Sequence, residues 1–432
     1  MQKKGKYLAF LNKIFNNSLA KGSITYSLSS IINSAIPFFL MPILTRVLTP
    51  ADYGITAIYS ILISIYNIFI GINLYGAINR EYFNKQLDFN RYIFNCIIIL
   101  LSAFLIVFTF SVLFSKQISS WAKFPSEYLW TAIIASLFFN FQAFLLSIYR
   151  AQKNAIKYSV FQIGQTFINF ALSIILVVLL KKGWQGRIYA NLIASVSFGI
   201  FALIILLFNY SKAKISFEYI GKSLKFGLPL IPHALGGLLI SLFSRLVIAN
   251  TLGLADTGLY TAALQIATIL SIVEDSFNRA YAPWLYEKLN SNNDHVKLRI
   301  VKFTYLYFIV VFIFALMIGL SSPYLVKILL GKDFSKSAPI IIWIAIGAAF
   351  NGMYYMVTNY IFYAYKTHIL AAITITCGVI NIPLTIILTK ANGAIGAGQA
   401  YALAQLLSFV LTWILSSRVY KMPWKCWSQK SS

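Results

Sequence analysis

The chain has 432 residues, 59% of them hydrophobic and only 11% charged, with a formal net charge of +25. Soluble domains are about 45–50% apolar and about 25% charged, so this chain lacks the polar residues to cover a water-facing surface and reads as a polytopic membrane protein. Its basic residues are spread through short loops between apolar runs, the pattern that retains segment ends on the cytoplasmic side, and nucleic-acid binding is excluded on that ground.

A hydrocarbon core of about 30 Å takes about 20 apolar residues per helix. Twelve stretches qualify: 24–45, 55–78, 93–114, 129–149, 158–180, 188–208, 227–250, 259–284, 300–321, 339–362, 369–389 and 398–418. The runs are too long, and lack the alternation, for the strands of an outer-membrane barrel. The start, Met1 to Lys21, is basic and shows no small-residue cleavage site, so the first spanning helix is expected to act as its own signal.

Taken in order, the helix over 24–45 places Ser30, Ser34, Pro37, Met41 and Thr45 on one face and ends beside Arg46. The turn Leu48-Thr49-Pro50-Ala51-Asp52-Tyr53-Gly54-Ile55 follows, and its Gly54 is read as a turn glycine. The helix over 55–78 repeats the spacing with Ser60, Ser64, Asn67, Gly71 and Tyr75, and Arg80 lies beyond its end. Four more segments complete a first half, 1–208, and the polar stretch 209–226 leads to a second half, 227–432. There, 227–250 carries His233, Gly237, Ser241 and Arg245. A second turn, Leu252-Gly253-Leu254-Ala255-Asp256-Thr257-Gly258-Leu259, leads to Gln265, Thr268, Asp275 and Arg279, with Glu274 alongside.

These polar stripes admit two readings. Small and hydroxyl residues serve close helix packing or line a wet cavity. Charges at membrane depth cost at least about 2.5–3.5 kcal/mol on insertion scales. Arg245 has no local carboxylate and is expected to face a hydrated cavity. Asp275 and Arg279 stand i, i+4 with the acid first, which suits a structural ion pair as well as a cavity wall. Glu274 is the candidate for a protonatable coupling group. Arg46, Arg80 and Asp52 lie at segment ends, where long side chains reach water. His233 reads as a proton relay or as a hydrogen-bonding residue at a helix start. The three histidines (233, 295 and 368) are scattered and give no metal site, and no Gly-Lys-Ser/Thr loop cradles a phosphate. Cys96, Cys377 and Cys426 form no disulfide framework.

Loop charge sets the topology. With a cytoplasmic N-terminus, 24 basic residues fall in inside segments and 10 in outside loops, and Arg245 and Arg279 lie within segments. Both termini are therefore expected to be cytoplasmic. Three motifs recur in the same order: Asp52-x-Gly54 with Asp256-x-Gly258, Gln152-Lys153 with Tyr365-Lys366, and Gly183-x-x-Gly186 with Gly393-x-x-Gly396. The expectation is an all-α bundle of twelve transmembrane helices in two parallel six-helix lobes, a known transporter plan.

The stretch Pro42-Ile43-Leu44-Thr45-Arg46-Val47-Leu48-Thr49-Pro50-Ala51-Asp52-Tyr53-Gly54, after a Ser-rich first helix, resembles the N-terminal signature of bacterial polysaccharide flippases of the Wzx type. These belong to the multidrug/oligosaccharidyl-lipid/polysaccharide exporter superfamily. The passage from Phe243-Ser244-Arg245 through Gly253 to Gly258-Leu259-Tyr260 is similar to that family's second-half signature. The resemblance implies a MATE-like fold in the bacterial inner membrane. It also implies flipping of an undecaprenyl-diphosphate-linked oligosaccharide by alternating access, driven as an antiporter by protons or sodium, with no other cofactor. O-antigen and lipopolysaccharide assembly, or capsule or exopolysaccharide assembly, would be the setting, with membrane lipids, a polymerase and chain-length proteins as partners. The matching cationic positions are Arg46, Arg80, Arg245 and Arg279, joined by Ser241 and Asn67 as polar substrate contacts. Glu274 and Asp275 would couple to the ion. A multidrug or cation exporter of the superfamily is the nearest rival, although acids should then dominate the cavity. A membrane enzyme such as a polymerase is the rival from another class, but no large external loop offers catalytic carboxylates.

Overall fold

The computed structural model describes residues 18–210, 214–290, 293–364 and 366–424. All twelve expected segments are helical, and among the described residues there is no strand. In the first half the helices are α1 (Ser18–Leu44), α2 (Pro50–Gly71), α3 (Leu74–Glu81), α4 (Phe89–Leu113), α5 (Ser115–Ala122), α6 (Leu129–Ala151), α7 (Ala155–Ser173, running on into a π turn at Ile174–Leu179) and α8 (Gly183–Tyr210). The second half holds α9 (Phe217–Gly227), α10 (Ile231–Thr251), α11 (Leu254–Asn290), α12 (Asp294–Leu320), α13 (Ser322–Leu329), α14 (Ala338–Tyr363) and α15 (Thr367–Val419). Nine of the described helical stretches are long and apolar enough to cross a membrane.

Three departures from the hydropathy reading have local causes. The second apolar run breaks into α2 and α3 because Ile72 and Asn73 take φ 44° and 50°, a region that a β-branched residue rarely enters. The last two runs continue as α15, bent sharply at Asn392 and Gly393 (φ 61°, ψ −147°). The stretch expected as a linker contains α9. Its Lys222 Nζ lies 2.6 Å from Glu81 Oε2 on α3, and its Ser223 hydroxyl donates to Tyr92 at 2.8 Å.

The helices form two compact units. One comprises the described residues up to Leu40 with Tyr59–Ala234; the other comprises Met41–Ile58 with the described residues from Leu235 onward. In the second unit the first turn of the chain meets its own repeat. Gly54 and Gly258, read from the sequence as turn glycines, are both helical, and neither has a positive φ. A Cβ on Gly54 would stand 2.0 Å from the Leu254 carbonyl oxygen, and one on Gly258 would stand 1.9 Å from that of Pro50. The glycines are therefore there to let two helix starts touch backbone to backbone. The start of α2 is also capped from within. Thr49 and Asp52 bond reciprocally, Thr49 N to Asp52 Oδ2 at 3.2 Å and Asp52 N to Thr49 Oγ1 at 3.2 Å, with Pro50 in the first helical position. This is a capping box with an acid at its third position.

The segment before that contact is fastened as well. Arg46 donates to the Ile328 carbonyl at 2.9 Å, at the C-terminal end of α13, where a cation suits the helix dipole. Gly331 N donates to Thr45 Oγ1 at 3.2 Å, and the Tyr53 ring meets Phe334 edge-on at 5.6 Å. The glycine pairs before α8 and inside α15 repeat a second geometry. Gly183 and Gly393 take φ 57° and 61°. Three residues on, a Cβ at Gly186 or Gly396 would stand 2.9 Å from the Leu176 oxygen or 1.8 Å from that of Leu388.

Two tests follow from these contacts. Gly258→Ala drives a methyl into a carbonyl and should cost about 1–3 kcal/mol, read as a lower unfolding temperature by tryptophan fluorescence in detergent. Gly221→Ala on α9, with nothing within 4 Å of the added atom, should gain about 0.5–1 kcal/mol from helix entropy. A stabilised Gly258→Ala protein would show that the helix starts are not in contact. The second test concerns Glu81, whose side chain is 7% exposed. Burial pushes its carboxyl up, but hydrogen bonds from Lys222 and Asn84 and the charges of Lys222 and Arg80 outweigh that and hold it below its ordinary value. The stability it contributes is complete above the unfolded carboxyl value of about 4.3. It is lost as pH falls through the lower folded value. Glu81→Gln should therefore lower stability at neutral pH by about 1–3 kcal/mol, and the difference should vanish in acid melts.

Candidate functional site

Arg245 sits on α10 in the second unit, flanked by the buried Ser244, Leu246, Val247 and Ile248. The side chain is partly exposed, yet its Nε is buried and finds no hydrogen-bond partner. The groups acting on it electrostatically are the hydroxyls of Tyr53 and Tyr260. Tyr53 donates its own proton to Gln265 Oε1. Tyr260 is buried beside Ser244. Among the described residues Arg245 therefore has phenol groups acting on it and no carboxylate partner. Such a cation is open to an anionic ligand, since Arg forms bidentate bonds to phosphate oxygens.

Glu274 and Asp275, adjacent on α11, have opposite surroundings. Successive helical residues point about 100° apart. Glu274 is 1% exposed, with neither carboxyl oxygen hydrogen-bonded. Space for it comes from Gly352 on α14, where a Cβ would stand 2.5 Å from its Cδ. One turn on, Asn278 accepts from Asn359 Nδ2 at 2.9 Å, so the polar face continues along the α11–α14 contact. Asp275 and Arg279 instead form the i, i+4 ion pair, with Nη2 to Oδ2 at 2.8 Å and side chains 45% and 55% exposed.

The other residues named from the sequence are placed as follows. Arg46 bonds the Ile328 carbonyl in the second unit. Arg80 belongs to the first unit, exposed, 3.8 Å from Glu81 Oε1 and with its guanidinium 5.7 Å from the centroid of the Phe226 ring. Asn67, also in the first unit, accepts from Asn140 Nδ2 at 3.2 Å. The side chains of Ser241 and His233 lie outside what is described, as do the surroundings of Gly237 and all of Cys426. Sequence reasoning missed Asn140, Gly352 and Asn359. Gly352 and Asn359 stand seven apart on α14, and that one-face spacing was the signal available.

Against known proteins, the family described as polysaccharide biosynthesis protein matches residues 19–288. An uncharacterized membrane protein of Haemophilus influenzae is 28% identical over 359 residues, covering 81% of this chain and 85% of its own length. Among solved structures, the lipid II flippase MurJ in an inward closed conformation superposes with a TM-score of 0.74 at 16% identity, covering 91% of this chain and 87% of its own. An inward-facing multidrug resistance MATE family transporter of the MOP superfamily gives 0.69 at 14% identity, covering 91% and 94%. The twelve helical segments thus have the fold of those transporters, in a multi-pass membrane protein. With more than half of its length matched, the chain belongs to the polysaccharide biosynthesis protein family.

Proposed function

We propose that this protein flips an undecaprenyl-diphosphate-linked oligosaccharide repeat unit from the cytoplasmic to the periplasmic leaflet of a bacterial inner membrane. The observation that carries the reading is Arg245, a cation within a membrane segment whose Nε has no partner. Family membership and the likeness to a lipid II flippase support it. In this reading Arg245 holds the diphosphate, and Arg279 exchanges Asp275 for a phosphate or glycan oxygen. Arg46, Arg80, Ser241 and Asn67 are further substrate contacts. Glu274, buried without a hydrogen bond, takes the coupling proton or sodium ion, with Asp275 as its neighbour on α11. Two six-helix lobes, 1–208 and 227–432, alternate access, and both termini are cytoplasmic. The setting we propose is O-antigen or capsule assembly, with a polymerase and chain-length proteins downstream.

Glu274 also favours a second reading, a cation exporter, because a buried acid suits a cationic substrate. Reconstituted vesicles separate the two: the flippase moves a fluorescent lipid-linked oligosaccharide and ignores ethidium.

Arg245→Ala should abolish surface glycan with protein levels unchanged, while Arg245→Lys keeps the charge, loses the bidentate geometry and retains partial display. Normal display by Arg245→Ala discards the diphosphate role. For coupling, wild-type vesicles should flip faster with an imposed proton or sodium gradient, and Glu274→Gln should flip at one rate regardless. Wild-type rates indifferent to both gradients remove Glu274 from the mechanism.

A further inference from the structure

In the first unit a cavity of about 410 Å³ opens beside the break between α2 and α3. Three asparagines, Asn67, Asn73 and Asn140, line it together with Tyr75 and Phe139. Among the described residues lining it there is no charged side chain. The size falls within the range of about 300–1,000 Å³ for small-molecule sites.

Each polar group is held in place by something the sequence supplies. Asn140 is 3% exposed, and its amide nitrogen donates to the Ser136 carbonyl at 2.8 Å and to Asn67 Oδ1 at 3.2 Å. Its oxygen occupies the space left by Gly71, where a Cβ would stand only 2.2 Å away. One Asn140 bond anchors it to Ser136 and the other holds Asn67 Oδ1, so the Asn67 amide nitrogen is the group left to a ligand. Asn73 starts α3 in the left-handed region and makes no capping bond with its side chain. The unfavourable turn at Ile72 is held from outside. The Ile72 carbonyl lies 2.1 Å from where a Cβ on Gly227 would be, and Ser147 donates to the Tyr75 carbonyl at 2.6 Å. A backbone outlier fixed so tightly next to a cavity is the kind that positions ligand groups.

The chemistry of this lining selects among ligands. A diphosphate needs cations or clustered N–H donors, and an organic cation needs an acid. Neutral carboxamides carry donor and acceptor side by side, which matches the vicinal hydroxyls of a sugar, and the Tyr75 and Phe139 rings offer apolar faces to its C–H bonds. We infer that this cavity binds one uncharged sugar ring of the lipid-linked glycan through Asn67 and Asn73, with Asn140 as a positioning residue. The inference rests on the flippase reading for its source of sugar and adds the part of the substrate that is recognised.

The test uses the full chain in lipid nanodiscs with four lipid probes, undecaprenyl diphosphate and the same lipid bearing glucose, galactose or N-acetylglucosamine, and with the corresponding free methyl glycosides as competitors. Wild type should bind at least one sugar-bearing lipid more tightly than the sugar-free one. Asn67→Leu and Tyr75→Ala, both at partly or fully exposed positions, should erase that preference, a loss of about tenfold for one or two hydrogen bonds. Binding of the sugar-free diphosphate should stay within about twofold. Asn140→Leu should do the same, provided its unfolding temperature matches wild type. Competition by a methyl glycoside shows that the ring itself is read; preference without competition assigns recognition to the joined glycan. Wild type that binds the diphosphate with no gain from any sugar overturns this inference and leaves the flippase reading standing. Equal losses for both lipids in the variants overturn it as well, and failure to bind either lipid overturns both readings.

Discussion

The contact between the starts of α2 and α11 explains why one motif occurs twice. Two helix N-termini each carry about half a positive charge, so bringing them together is unfavourable unless something offsets the charge. Asp52 and Asp256 stand in the two first turns and do so. Close approach also needs bare Cα atoms, and Gly54 and Gly258 supply them. The contact is reciprocal: Gly54 meets the residue that opens the other helix, and Gly258 meets Pro50. A patch that pairs with a copy of itself is what isologous contacts use, and a duplicated chain has both copies in one molecule. The Asp-x-Gly repeat thus encodes a tertiary contact, with the acid for the field and the glycine for the distance.

That contact also decides where residues 41–58 belong. The first turn is fastened to the second unit by Arg46 on Ile328, Thr45 on Gly331 and Tyr53 against Phe334. Chain order carries no trace of this, because each partner lies more than 280 residues away along the chain. Hydropathy made the twelve segments legible, since length and apolarity alone determine a spanning helix. The helix start at Thr49 was legible too: Thr-Pro-x-Asp is capping grammar, although it was read as a turn. The break at Ile72–Asn73 was not. Nothing apolar in the pattern changes there, and what holds the unfavourable backbone is Gly227, contributed by a distant helix. The short helices α5 and α13 lie below the length at which apolar runs stand out.

The site residues divide along the same line. The Asp275–Arg279 pair is a local, i, i+4 relation, and the structure forms it. Arg245 was legible as a charge without a neighbour of opposite sign. Its environment of Tyr53, Tyr260 and Gln265 was not, because Tyr53 comes from α2, far away along the chain. The solitude of Glu274 depends on Gly352, which no helical spacing connects to it.

Glu274 shows most clearly what the fold gives up for its chemistry. A carboxyl buried without a hydrogen bond is among the costlier groups a protein interior can hold, and an apolar residue of similar volume would usually be neutral or stabilising there. Gly352 opposite leaves the space that its carboxyl fills. The ion pair one residue later shows that α11 can present an acid to a partner, yet at Glu274 none is provided. A glycine that makes room for an acid without a hydrogen-bond partner is the arrangement that the coupling role proposed for Glu274 would use.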